Sequence, residues 1–264
     1  MRTPTLLLHG FTGSADAWPR PVLDALAAAG NAPVALDLPG HGQRAGETDP
    51  ARFTMDAVTG ELLAAADAAT GAGGDPVAAT PAVDLVGYSM GGRVALAFAV
   101  AHPARVRRLV LESASPGLET EEERAARRGA DARLAAKLEQ EGIAAFVAFW
   151  ERLPLFTSQR NLPAPVAEAQ RRRRLRNDPR SLAASLRGLG AGALPSFWDD
   201  LPALHIPTMV LAGEDDVKFM AVARRMAALL PAAALRIIPG AGHNVHLERP
   251  GAWVEAVTEF LRPS

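Results

Sequence analysis

The hexapeptide Gly87-Tyr88-Ser89-Met90-Gly91-Gly92 follows directly on the apolar run 83–86 and opens a stretch of helical composition, 90–102. Few sequence features restrict a fold as much as a serine at the apex of a strand–turn–helix. The chain must reverse within a couple of residues, which presses strand against helix, and only glycines at the flanks leave room for that approach. The serine hydroxyl then projects above the sheet, and the N–H of Met90 points into the same space at a helix N-terminus. The plainer reading is a glycine–serine turn without chemistry, but the strand before it and the helix after it favour the reactive one.

The rest of the chain has the rhythm such a turn requires. Short apolar runs at 5–8, 33–38, 83–88, 106–112, 208–213 and 235–238 lack strict alternation, as expected of strands covered on both faces. Helical stretches lie between or after them at 17–30, 54–69, 90–102, 221–230 and 251–261, several closed by Gly30 or by the prolines at 103 and 231. This alternation predicts an α/β fold, a mostly parallel, doubly wound sheet with right-handed crossovers. Two segments break the rhythm. Residues 70–82 are rich in Gly, Ala and Pro and read as an exposed loop. Residues 113–203 lack strand runs and read as helices, among them 121–141 and 165–176, with breaks at 153–163 and 188–195. The expected organisation is a core formed by 1–112 and 204–264, with 113–203 as a helical cap inserted between two halves of the sheet.

Composition removes other classes of function. The 264 residues carry 28 basic and 29 acidic side chains, so no global field would hold nucleic acid or an anionic membrane. The arginine run near 171–174 has no interleaved aromatics to serve as a stacking platform. There is no cysteine, which excludes thiol nucleophiles and Cys-ligated zinc. No His/Asp/Glu grouping has metal-ligand spacing and no Gly-x-Gly-x-x-Gly follows a strand, so neither a metal nor a cofactor is expected. No apolar stretch is long enough to cross a membrane, and residues 1–8 do not form a signal peptide. The expectation is a cytoplasmic protein, a monomer or small homo-oligomer, acting on a small molecule.

A serine hydroxyl needs a base at neutral pH. Of the six histidines, His243 lies in a Gly-rich loop after the last strand run, where open α/β sheets keep their sites. His246 competes but falls at the entry to the last helix. His102 ends a helix, and His205 stands at a segment boundary. The base needs an acid to fix its tautomer. Glu214, Asp215 and Asp216 all follow the strand 208–213, and spacing alone does not choose among them. The order Ser89, acid, His243 is that of α/β-hydrolases. His9-Gly10-Phe11-Thr12-Gly13, after the first strand run, supplies the N–H of Phe11 as second oxyanion donor beside that of Met90; His9 itself is expected to hold the loop.

These residues resemble the α/β-hydrolase superfamily throughout, over 5–112 and 204–262, and Asp37-Leu38-Pro39-Gly40-His41-Gly42 is similar to its loop after the second core strand. A narrower resemblance is to the 2-succinyl-6-hydroxy-2,4-cyclohexadiene-1-carboxylate synthases of menaquinone biosynthesis. It rests on Gly87–Arg93, Ser115-Pro116-Gly117-Leu118, residues 182–192, Gly213-Glu214-Asp215-Asp216-Val217-Lys218-Phe219, and Gly240-Ala241-Gly242-His243-Asn244-Val245-His246-Leu247-Glu248. The resemblance selects Asp216 as the acid. It implies a lyase that expels pyruvate from a polycarboxylate, with Ser89 as a base activated by His243 and the oxyanion hole holding an enolate. A carboxylesterase, thioesterase or C–C bond hydrolase with Ser89 as nucleophile is the alternative on the same fold.

A polycarboxylate requires cations in the pocket. Arg93 lies one turn below Ser89 on nearly the same helix face, where a plain hydrolase commonly has a small or apolar residue. It serves either as a carboxylate clamp or as the partner of a structural acid. In the cap, Arg127 corresponds best to the family's first arginine, with Arg124 and Arg128 close by, and Arg176 corresponds to the second. Because 26 of the 28 basic residues are arginine, most of the run 171–174 is expected to be a solvated helix face. Trp150 matches a pocket tryptophan of the family, although cap core is an equally good reading, and Glu151 stands where the family often has tyrosine. Tyr88 either lines the pocket or packs. Lys218 has no assigned role.

Overall fold

The computed structural model describes residues 2–71 and 81–262. Most of the predicted loop 70–82 therefore lies outside the described residues. Six parallel strands, β1 (Thr3–Leu8), β2 (Asn31–Leu36), β3 (Val83–Tyr88), β4 (Val106–Glu112), β5 (Thr208–Gly213) and β6 (Ala233–Ile238), form one sheet in the order β2-β1-β3-β4-β5-β6. The strand runs read from the sequence are all present, with β1, β2 and β6 starting two residues earlier than the apolar runs do. β2 stops at Leu36 because Asp37 turns to accept the backbone N–H groups of Ala15 and Gln43.

Successive strand side chains enter opposite layers. Leu6, Leu85, Leu109 and Val210 pack with α2 (Met55–Thr70), α3 (Met90–Ala101) and α7 (Val217–Leu229). Leu7, Val86, Val110 and Met209 pack with α1 (Arg20–Ala28) and α9 (Pro250–Leu261). Both faces being covered explains why the strands read as unbroken apolar runs.

Between β4 and β5 the chain is helical: α4 (Glu121–Trp150), a 3₁₀ segment (Pro154–Asn161), α5 (Ala164–Leu175) and α6 (Pro179–Leu189). A capping box between Thr120 and Glu123 starts α4, and Gly142 at φ 77° breaks it. The insertion has a small core of its own, built on Ala135, Leu138, Phe146, Leu182, Ala183 and Leu186. Among the described residues no helix is long and apolar enough to cross a membrane.

Under the first loop, His9 and His41 are buried and neutral. His9 Nδ1–H donates to Gly10 O at 2.8 Å, and its Nε2 accepts the N–H of Leu38 at 3.1 Å, so it ties the loop after β1 to the loop after β2. Burial first, and then the neighbouring His9, lowers the pKa of His41 to about 3. Above pH 6.5 this histidine is neutral folded or unfolded. As pH falls from 6.5 toward 3 the unfolded chain takes up a proton that the native state refuses, so stability is lost, by on the order of 5 kcal/mol from this one group. His41→Asn should therefore flatten the decline of unfolding free energy over that window. Parallel urea titrations of the two proteins check this, and equal slopes would refute the assignment.

Candidate active site

Crowding at the serine turn is visible in atomic terms. A Cβ on Gly87 would lie 2.5 Å from Gly91 O, and one on Gly91 would lie 2.3 Å from Leu8 O. Ser89 itself is held at φ 52°, a region costing roughly 1–3 kcal/mol for a residue with a side chain. Its N–H donates to Glu112 O at 2.9 Å, which anchors the turn to β4. Met90 opens α3, so its N–H has no partner within the helix.

His243 and Asp216 come to this serine from the loops after β6 and β5. Asp216 caps α7, its Oδ1 accepting the N–H of Phe219 at 3.2 Å, while its Oδ2 accepts His243 Nδ1–H at 2.6 Å. The opposite nitrogen, Nε2, lies 3.0 Å from Ser89 Oγ and accepts its proton. An ionised carboxylate can only accept, so the pairing puts the imidazole proton on Nδ1 and leaves Nε2 free to act as base. Both residues are buried. Glu214 and Asp215 are exposed, and neither bonds to a histidine side chain. His246 is turned away: its Nδ1–H donates to both oxygens of Glu112 at 2.9 Å, and its ring stacks on Trp18. His102 caps the end of α3, and His205 is exposed.

A cavity of about 520 Å³ opens between this group and the insertion, lined among others by Phe11, Tyr88, Ser89, Met90, Arg93, Arg127, Trp150, Arg173, Arg174, Lys218 and His243. The Phe11 loop is closed by Gly13 N–H donating to Gly10 O. From the insertion, Asn177 Nδ2 donates to the carbonyl of Thr12 at 3.0 Å and to that of Arg174 at 3.1 Å, which fastens the loop to the end of α5. Thr12 sits at φ 65°. Asn177→Ala leaves a buried carbonyl unpaired beside this strained residue and should cost about 1–3 kcal/mol in denaturant unfolding.

Arg93 is the cation closest in sequence to the serine. Its Nε is buried with no partner, its Nη2 reaches only Leu189 O at 3.4 Å, and among the described residues no carboxylate pairs with it. Burial first, and then the nearby Arg127, lowers its pKa to about 10, so it stays cationic at neutral pH. Arg127 Nε donates to Asp131 Oδ1 at 2.8 Å. Arg127 thus takes the carboxylate nearest both guanidinium groups, and Asp131 acts on Arg93 only through space, leaving an excess positive charge beside the cavity. Arg124 and Arg128 are taken up by Glu121 and by backbone carbonyls.

Arg176 does not line the cavity. It is exposed and pairs with Asp16 at 2.9 Å, because α5 ends at Leu175 and the residue falls at its C-cap. One turn earlier, Arg173 and Arg174 do reach the cavity wall. Arg174 is held by Glu151 at 3.2 Å and lies over the Phe156 ring, so the glutamate at the position after Trp150 orders an arginine. Burial lowers the pKa of Arg173. Sequence reading placed most of the run 171–174 on a solvated face with one or two members toward substrate; Arg172 is exposed, while Arg173 and Arg174 line the cavity.

Trp150 lines the cavity and also packs edge-on against Phe11 and face-on against Phe146. Its indole Nε1 is buried without a partner. Tyr88 is wedged between His243 and His246, and burial holds its phenol neutral, well above its ordinary pKa. Lys218 stands at the cavity mouth with its Nζ over Phe219, whose ring meets that of His243.

With this geometry the chain can be compared with known proteins. Residues 5–257 match the alpha/beta hydrolase family. A 2-succinyl-6-hydroxy-2,4-cyclohexadiene-1-carboxylate synthase of Klebsiella pneumoniae (strain 342) is 35% identical over 256 residues, 97% of this chain and 92% of the relative. A Bacillus subtilis (strain 168) protein that bears the same synthase name provisionally is 38% identical over 254 residues, 96% of this chain and 88% of that one. MenH from S. aureus superposes with a TM-score of 0.90 at 34% identity, over 98% of this chain and 93% of that structure. A thermophilic esterase from Thermogutta terrifontis, solved with malate bound, gives 0.80 at 30% identity, over 98% and 89%. Strand order, serine turn and near-complete alignment agree that this chain belongs to the alpha/beta hydrolase family and, within it, to the 2-succinyl-6-hydroxy-2,4-cyclohexadiene-1-carboxylate synthases.

Proposed function

We propose that the chain eliminates pyruvate from 2-succinyl-5-enolpyruvyl-6-hydroxy-3-cyclohexene-1-carboxylate to leave 2-succinyl-6-hydroxy-2,4-cyclohexadiene-1-carboxylate, with Ser89, His243 and Asp216 as its catalytic group. The observation that carries this reading is Arg93. Arg93 is half-buried at the cavity wall with its Nε buried and unpartnered, an arrangement that is costly in a resting protein unless a ligand anion completes it. A substrate with three carboxylates supplies that anion, whereas an uncharged ester does not.

In this reading Ser89 Oγ, losing its own proton to His243 Nε2, abstracts the ring proton next to the succinyl carbonyl. The electron pair moves through the ring double bond, and the carbon–oxygen bond to the enolpyruvyl group breaks. The departing enolate takes up a proton to become pyruvate, and the ring keeps a conjugated diene. Negative charge gathers on the succinyl carbonyl oxygen, where the N–H groups of Phe11 and Met90 would stabilise it. Asp216 orients the imidazole and stabilises its cationic form. Arg93 and Arg127 hold carboxylates, Tyr88 and Trp150 wall the ring, and Arg173 takes the part that sequence alone assigns to Arg176. The step is redox-neutral.

The test is direct. The purified chain, given this precursor with lactate dehydrogenase and NADH as reporter, should form one pyruvate for each diene seen by absorbance. Faster hydrolysis of a panel of simple esters, with no pyruvate from the precursor, would overturn the lyase reading in favour of a hydrolase in which Ser89 is acylated.

A further inference from the structure

The loop that carries His243 has no regular secondary structure, so its amides depend on acceptors from elsewhere. One carboxylate meets them. Gly242 N–H donates to Glu248 Oε2 at 2.7 Å, and Asn244 N–H donates to Glu248 Oε1 at 3.1 Å. Glu248 thus grips the main chain on both sides of His243, from one turn ahead on α8 (Val245–Glu248). From the insertion, Ser158 presses on the same loop: a Cβ on Gly242 would lie 1.9 Å from Ser158 Oγ.

The charge of Glu248 is the unusual part. The residue is 9% exposed, yet among the described residues no basic side chain pairs with its carboxylate. His246 donates to Glu112, and Arg249 donates to the main-chain carbonyl of Glu248. Among the described residues, the amide hydrogens of Gly242 and Asn244 are the hydrogen-bond partners of the carboxylate. We propose that Glu248 is a positioning residue for His243: it locks the histidine loop through both flanking amides, and its charge, met by no basic side chain, favours the imidazolium that forms when His243 takes the Ser89 proton. This rests on reading His243 as the base.

Other charged and titratable groups also face His243. Asp216 bonds its Nδ1, and Asp215 and Lys218 flank it on the β5 side. Tyr88 packs on it from β3, with Glu112 of β4 and His246 of α8 behind that ring. Arg174 of α5 lies beyond Phe156. Glu248 is the one that binds the backbone of the histidine's own loop on both sides.

The experiment is an NMR titration of histidine-¹⁵N-labelled protein, which needs no substrate, run beside pyruvate-release kinetics. In E248Q, which keeps shape and loses charge, the His243 midpoint should fall by about one pH unit. Its kcat should drop about tenfold while KM changes little. The His246 resonances, on Glu112, should not move. E248D retains the charge, and its His243 midpoint should lie closer to that of the unmodified protein than the E248Q midpoint does. If E248Q does not fold, E248A takes its place with the same expected direction. An unshifted His243 midpoint in the folded variant overturns the proposal, and so does loss of fold in both E248Q and E248A, which would make Glu248 a stability residue. A shifted midpoint without pyruvate release by the unmodified protein would leave this inference standing and remove the proposed reaction.

Discussion

Ser89→Ala should lower kcat for pyruvate release by about 10³–10⁴-fold, the range expected when a positioned base is deleted. His243 would then face a methyl group, and no other hydroxyl bonds its Nε2 in the described structure. The fold should survive, because alanine fits the same turn; thermal unfolding of the variant checks that the loss is chemical. Substrate binding should change little, since the cations lie on Arg93, Arg127 and Arg173 rather than on the serine. A variant that still turns over at the parent rate would remove Ser89 from the mechanism and leave His243 to act alone.

Arg93→Ala should divide function from stability. With substrate bound, loss of the guanidinium strands a carboxylate in a buried cavity, and kcat/KM should fall by roughly 10²–10³-fold. Without substrate the same change removes a partly desolvated charge that has no hydrogen-bonded acid and that repels Arg127, so the unfolding temperature should hold or rise. Arg93→Lys should recover only part of the activity, because an ammonium cannot make the forked contact of a guanidinium. If Arg93 were instead a structural residue, the alanine variant would lose stability in step with activity. Paired kinetics and thermal melts on the three proteins separate the two cases.

Much of this architecture is legible in the chain because local rules enforce it. Doubly covered strands leave unbroken apolar runs, and the serine turn needs glycine at 87 and 91 wherever strand and helix touch. Helix ends were readable to within a few residues at Gly30 and Pro103. The start of α7 was not: Val217 and Lys218 are exposed, so no apolar face announces the first turn, and the helix begins four residues earlier than expected because Asp216 caps it. The cap helix, read over 121–141, likewise extends further: it breaks at Gly142, at positive φ, and resumes to Trp150.

At the site, chain order and loop position singled out Ser89 and His243 by themselves, because each sits where the backbone of an open sheet presents a side chain. The choice of Asp216 over two adjacent acids needed the family resemblance, and the reason lies in space: only Asp216 occupies the helix cap that aims a carboxylate at Nδ1 of the imidazole. The family resemblance picked out Arg127, which lines the cavity, but which arginine of 171–176 meets it was beyond the sequence. Arg173 and Arg176 differ by less than one helical turn, and the end of α5 turns one toward the cavity and the other toward Asp16 in solvent. Local chemistry, written in neighbouring residues, therefore determined the strands, the serine turn and the order of the candidate catalytic groups. Tertiary packing alone decided which charges lack partners, since burial and pairing depend on residues far apart in the chain.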